Sequence, residues 1–218
     1  MMAFLISPRG IQLLGIVGPA IVVFGALVAA LAYRGKEGEP YSPFNHYISE
    51  LGEVGVSHLS FVFNLSLILS GLFLIPACIG LGLMLPGVLA KIGMAAGIIF
   101  LIFLALVGII PMNKAEPHGR IAMTNIRAGL VMVLLFSLAI ALQSAPTPVL
   151  PRLFALGGLP AILSTAGFLI LARRAGKKEE DPLESEEAAR PKVSALPTLE
   201  WLIFLTIVLW FALISWGL

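Results

Sequence analysis

The chain has 218 residues, of which 59% are apolar and only 12% charged, with a formal net charge of +2 and a mean hydropathy of +1.01. A soluble domain carries about 25% charged residues, so this composition cannot build a water-soluble surface. The basic residues are dispersed or mixed with acids, which argues against a nucleic-acid partner, and the single cysteine, Cys78, excludes an intrachain disulfide and a cysteine-rich metal site.

A hydrocarbon core about 30 Å thick needs about 20 apolar residues as helix, and unpaired backbone groups in lipid exclude loose strands. The first such run covers residues 11–33. Arg9 precedes it and Ala30-Leu31-Ala32 is like a cleavage site, but a signal h-region spans only about 7–15 residues, so the run reads as an uncleaved first span. Further spans follow at 59–85, 88–111, 121–143, 153–172 and 199–216, with Pro19, Pro76 and Pro160 inside spans. The predicted fold class is all-α: a polytopic bundle of six transmembrane helices forming one membrane domain over residues 1–218.

Small residues recur within the spans. Gly80 and Gly82, Gly93 and Gly97, and Gly157 and Gly158 permit close helix approach. Packing inside the bundle is the main expectation, and a homodimer through the same small-residue faces is the other. Residues 173–198 form a charged linker of disordered composition. The odd-numbered connections hold ten basic residues and the opposite side three, which favours odd connections in the cytoplasm. Six of the ten lie in the fifth connection, and without it the count is four against three. The expected location is the plasma membrane of a prokaryote.

Polar residues concentrate in the first and third connections, on one membrane face. In the first, Ser42-Pro43 suggests a helix start and Gly52 a helix end. A short interfacial helix there would place His46 and Glu50 one turn apart on one face, with Asn45 and Ser49 alongside. The third connection supplies Asn113, His118 and Arg120, and the fourth span adds Asn125 and Arg127. Arg127 lies roughly 10 Å inside that span at about 1.5 Å per residue, so it needs a carboxylate, a lipid phosphate or a route to the surface. Glu50 is the expected partner. Asn64, early in the second span, also needs a hydrogen-bond partner.

Glu50 and His118 are the candidate catalytic pair, since burial can bring carboxylate and imidazole toward neutral titration. Zinc held by His46, Glu50 and His118 is a weak alternative, because no histidine pair has ligand spacing within one helix. No cofactor is otherwise expected.

Tyr41-Ser42, Ile48-Ser49-Glu50-Leu51-Gly52, Phe63-Asn64, Gly71, and Pro111 followed by His118 together resemble the uncharacterised six-span prokaryotic membrane proteins grouped as domain of unknown function 998. The resemblance implies a fold and a site but no reaction. It singles out Ser49, Glu50, Gly52, Asn64, Pro111 and His118.

The expected function is binding, with or without transformation, of a lipid or isoprenoid head group in a polar interfacial pocket. Asn45, His46, Ser49, Asn64, Asn113, Arg120, Asn125 and Arg127 are its ligand-binding residues, and membrane lipids are its partners. The alternatives are a transporter for a small solute or proton and a scaffold without a ligand. Transport needs a continuous polar path, and span three is apolar from Ile92 to Ile110.

Overall fold

The computed structural model describes residues 4, 6–143, 148–178 and 191–218, with the side chains of 176–178 left aside. Six helices are long and apolar enough to cross a membrane, so the protein is an all-α integral membrane protein. They are α1 (Pro8–Ala32), α2 (Ser60–Met84), α3 (Val88–Ile109), α4 (Ala115–Ala141), α5 (Leu159–Lys178) and α6 (Ala195–Gly217). Two short 3-10 helices, Ile48–Gly52 and Arg152–Gly158, lie between α1 and α2 and before α5. Much of the expected linker, residues 179–190, lies outside the described residues.

Local chemistry explains the ends. Ser7 caps α1 by accepting from the Gly10 N–H at 3.2 Å, and Pro8 takes the first helical position. Pro86 cannot continue α2, and Gly87 turns the chain into α3 at φ 86°. Lys91 then donates to the Gly82 carbonyl at 2.6 Å, satisfying an acceptor at the end of α2.

Two expected boundaries shift. The fourth span begins at Ala115 and not near 121, which brings Glu116 and His118 into its first turns. The fifth is a 3-10 segment followed by α5, so Pro160 lies in the first turn of α5, where proline costs little, and not mid-span.

The helices form a closed ring. Each of α1 to α4 packs along its successor, α5 packs on α4 partly through Arg152–Gly158, and α6 closes the circle between α5 and α1. Close approach depends on glycine. A Cβ on Gly71 would stand 2.7 Å from the Leu101 carbonyl oxygen, and one on Gly108 would meet the Asn64 carbonyl oxygen. Gly93 packs on Leu135 and Phe136, Gly97 on Cys78 and Met132, Gly80 on Ile11, Gly82 on Met94, Gly157 on Leu213 and Gly158 on Ser137. These glycines therefore pack inside the bundle. Large apolar side chains such as Phe24, Leu31, Phe61, Val88 and Leu163 point outward, toward lipid in a membrane.

The α2–α3 contact makes a direct prediction. Gly71→Val drives a side chain into backbone and is expected to cost about 1–3 kcal/mol of stability, measured by denaturant unfolding in detergent. Gly119→Ala, which meets nothing within 4 Å, should unfold like the parent.

Candidate functional site

The ring surrounds a half-open cavity of about 110 Å³. Its walls come from α1, α2, α3, α4 and α6, and its lid is the Ile48–Gly52 segment. Val22, Phe63, Leu67, Leu74, Phe100, Leu104, Ile203, Phe204, Ile207 and Phe211 make the walls apolar. On α6 the lining runs from Glu200 to Phe211, roughly 16 Å of helix at about 1.5 Å per residue. Ser49, His118 and Glu200 are polar lining residues toward the lid, and Asn125 and Ser70 lie deeper, level with Phe100 and Leu101 of α3.

The lid is held from α6. Glu200 Oε2 accepts from the Ile48 N–H at 2.8 Å. Trp201 Nε1 donates to the Tyr41 hydroxyl at 2.7 Å, and that hydroxyl donates to the Tyr47 carbonyl at 2.9 Å. The Ser194 N–H reaches the Phe44 carbonyl at 2.7 Å. Tyr33, Tyr41, His46 and Trp201 pack ring against ring around these bonds. Burial pushes the Tyr41 phenol above its ordinary range, so it stays protonated and can donate.

His118, 6% exposed, is the best defined of the polar lining residues. Its Nδ1 lies 2.7 Å from the Ile110 carbonyl oxygen, which can only accept, so Nδ1 carries the proton. In the neutral ring Nε2 is then an acceptor, and it is buried with no hydrogen-bond partner among the described residues. Asn125 Nδ2 donates to the Phe100 carbonyl at 2.7 Å, leaving Oδ1 as an acceptor. Glu200 adds carboxylate oxygen, and the Ser49 hydroxyl makes only a 3.7 Å contact with Met112 Sδ. At the level of Asn125, the Ser70 hydroxyl is fully buried with no hydrogen-bond partner among the described residues. The polar lining is therefore rich in acceptors, with no arginine or lysine.

Of the sequence candidates, Ser49, His118 and Asn125 meet at the cavity. Glu50 is buried but does not line it, and its Oε1 accepts from the Tyr47 N–H at 2.8 Å. The expected interfacial helix forms only as the 3-10 segment Ile48–Gly52, and residues 43–47 are not helical. Tyr47 is extended at φ −63° and ψ 146°, so His46 and Glu50 do not share a helix face. The Tyr47 and Ile48 N–H groups go to Glu50 and Glu200, which removes them from a continuous helical ladder.

His46 faces Glu39, with Nε2 and Oε1 3.7 Å apart. Asn45 donates to the Pro191 carbonyl at 3.2 Å. Asn64 donates to the Gly52 carbonyl at 3.0 Å, and Asn113 bonds both backbone groups of Val54 at 2.7 and 2.8 Å. These amides hold connections in place. Arg120 is exposed and paired with Glu116 at 2.6 Å. Arg127 is exposed beside Arg173 and forms no salt bridge with Glu50, whose side chain is buried on another element. No three of His, Cys, Asp and Glu gather as metal ligands among the described residues, so the His46, Glu50 and His118 set is not assembled.

Glu200 and Trp201 were absent from the sequence candidates. The available signal was that Glu200 is the only charged residue in α6, and an ionisable group within a span is a functional candidate by default.

A family model described as "Protein of unknown function (DUF998)" matches residues 16–217. No curated protein and no solved structure matches the chain.

Two carboxyl groups, Glu200 and Glu39, give separate predictions. Glu200→Leu leaves the Ile48 N–H unpaired and should cost about 1–3 kcal/mol, whereas Glu200→Gln keeps an acceptor and should lose less. Hydrogen exchange at the Ile48 amide separates the two. Bonds from its own N–H, with that of Glu37, hold the Glu39 carboxyl below its ordinary range. A depressed carboxyl stabilises above its unfolded pKa and loses that contribution as pH falls through the folded value. Protection of the Glu37 amide should therefore persist from neutral pH to the ordinary carboxylate range and disappear only below it.

Proposed function

The chain belongs to the DUF998 family of unknown function, and we propose that it binds a membrane amphiphile in the centre of the ring. The apolar part of the ligand lies among Leu67, Leu74, Phe100 and Ile207. Its polar end meets Ser49, His118, Asn125 and Glu200. The carrying observation is that His118 Nε2, a buried polar atom of a residue lining this apolar cavity, has no hydrogen-bond partner among the described residues. Unsatisfied buried polar atoms cost about 1–3 kcal/mol each, and a ligand that hydrogen-bonds to them offsets that cost.

The lining favours one ligand class. An acceptor-rich polar end suits a hydroxyl or amine that donates hydrogen bonds, and disfavours a phosphate, which would face Glu200 without a cation. The volume, about 110 Å³, falls below the roughly 300 Å³ of pockets that enclose drug-sized ligands. A short single chain or the end of a longer one fits this size better than a two-chain lipid. A transport path has less support: Ser164 and Thr165 of α5 bond to the Ala161 carbonyl of their own helix. The scaffold reading would rest on the charged linker, most of which is outside the described residues.

Native mass spectrometry of the detergent-purified protein with decanol, decane and decyl phosphate tests the reading. Decanol should bind more tightly than either of the others. Ser70→Leu, which fills the cavity, should abolish binding, and His118→Leu should lose the preference for the alcohol while still taking decane. Equal decanol binding by wild type and a folded Ser70→Leu variant would refute the proposal.

A further inference from the structure

We infer that the α4–α5 face carries a second binding site, separate from the cavity, for the phosphate of an anionic glycerophospholipid. Arg127 of α4 and Arg173 of α5 line one open cleft of about 640 Å³, whose other walls are Met123, Leu169, Ile170 and Ala172. The chain descends through α4 and returns through α5, so the two arginines reach the same half of the bundle from antiparallel helices.

Both arginines are exposed, and neither has a carboxylate within 4.0 Å among the described residues. Arg120, on the same helix as Arg127, is neutralised by Glu116. Arg127 follows the exposed Arg120 by seven residues, roughly 10 Å of helix at about 1.5 Å per residue. A guanidinium at that depth on a lipid-facing surface is costly unless it is paired or reaches the interface.

Charge and wall chemistry choose the occupant. Two guanidinium groups present forked donors that match phosphate oxygens, a geometry that also gives strong charge-assisted bonds. One phosphodiester would relieve their mutual repulsion. Met123, Leu169 and Ile170 offer apolar surface where acyl chains would continue from that phosphate. Basic clefts between transmembrane helices recognise lipid head groups by this combination. A free anion would leave the apolar walls unused.

The test titrates the full-length protein in detergent with phosphatidylglycerol and phosphatidylcholine of matched acyl chains, read by native mass spectrometry. Wild type should prefer phosphatidylglycerol by about tenfold or more. R127Q/R173Q should lose most of that preference, R127K/R173K should keep part of it, and R120Q should leave it unchanged. R173Q alone, near the end of α5, should show a partial loss and serves if the double variant does not fold. The inference is overturned if folded R127Q/R173Q keeps the preference, or if R120Q lowers it equally, since net charge would then explain it. It is also overturned if equimolar inorganic phosphate displaces the lipid, which would indicate an anion site without a lipid component. None of these readouts depends on what the central cavity holds.

Discussion

The bond from the Ile48 N–H to the Glu200 carboxylate is the contact on which the arrangement of the site depends. It joins residues far apart in the chain, a connection between the first two helices and the second turn of the last. The start of Ile48–Gly52 exposes N–H groups that no preceding turn satisfies. Glu50 takes one from its own segment and Glu200 takes another from across the bundle. With the Trp201–Tyr41 bond beside it, this holds the short segment over the cavity.

Below that lid the ring is packed unevenly. The α2–α3 contact is drawn to backbone distance by Gly71 and Gly108. Across the ring, α6 leans on α1 and α5, while bulky residues of α2, α3, α4 and α6 face one another around the gap. Helices in lipid gain little from the hydrophobic effect and associate through packing and hydrogen bonds. Where small residues allow contact the helices close. Where Phe63, Phe100, Phe204 and Phe211 stand between them, a space remains, walled by rings and branched side chains.

The polar groups of the molecule divide into two chemistries that do not mix. The cavity collects acceptors and no arginine or lysine. The cations sit outside it: Arg120 against Glu116 in the exposed first turns of α4, and Arg127 with Arg173 on the outer face. A single pocket combining an arginine clamp with Glu50 and His118 would demand that one helix present opposite faces to one space. On α4, His118, Ala122, Asn125 and Ile126 turn inward, so Arg120 and Arg127 are carried to other faces by the helical period of about 3.6 residues.

Amino-acid sequence alone determined the class, the number of spans and most of their boundaries. Runs of about 20 apolar residues in lipid have one solution, the helix, and the resemblance carried on Ser49, Asn64 and His118 pointed to the family whose model matches residues 16–217. On a helix of about 3.6 residues per turn, His118 and Asn125, seven residues apart, lie nearly on one face. Tertiary structure decided which residues from different elements meet. Glu200 replaces Glu50 at the cavity, Arg127 stands with Arg173 and not with a carboxylate, and the 43–51 segment forfeits a regular helix because its N–H groups find side-chain carboxylates instead. Those outcomes depend on how six helices close into a ring, and the packing contacts that close it lie between residues far apart in the chain. Local periodicity carries no record of them.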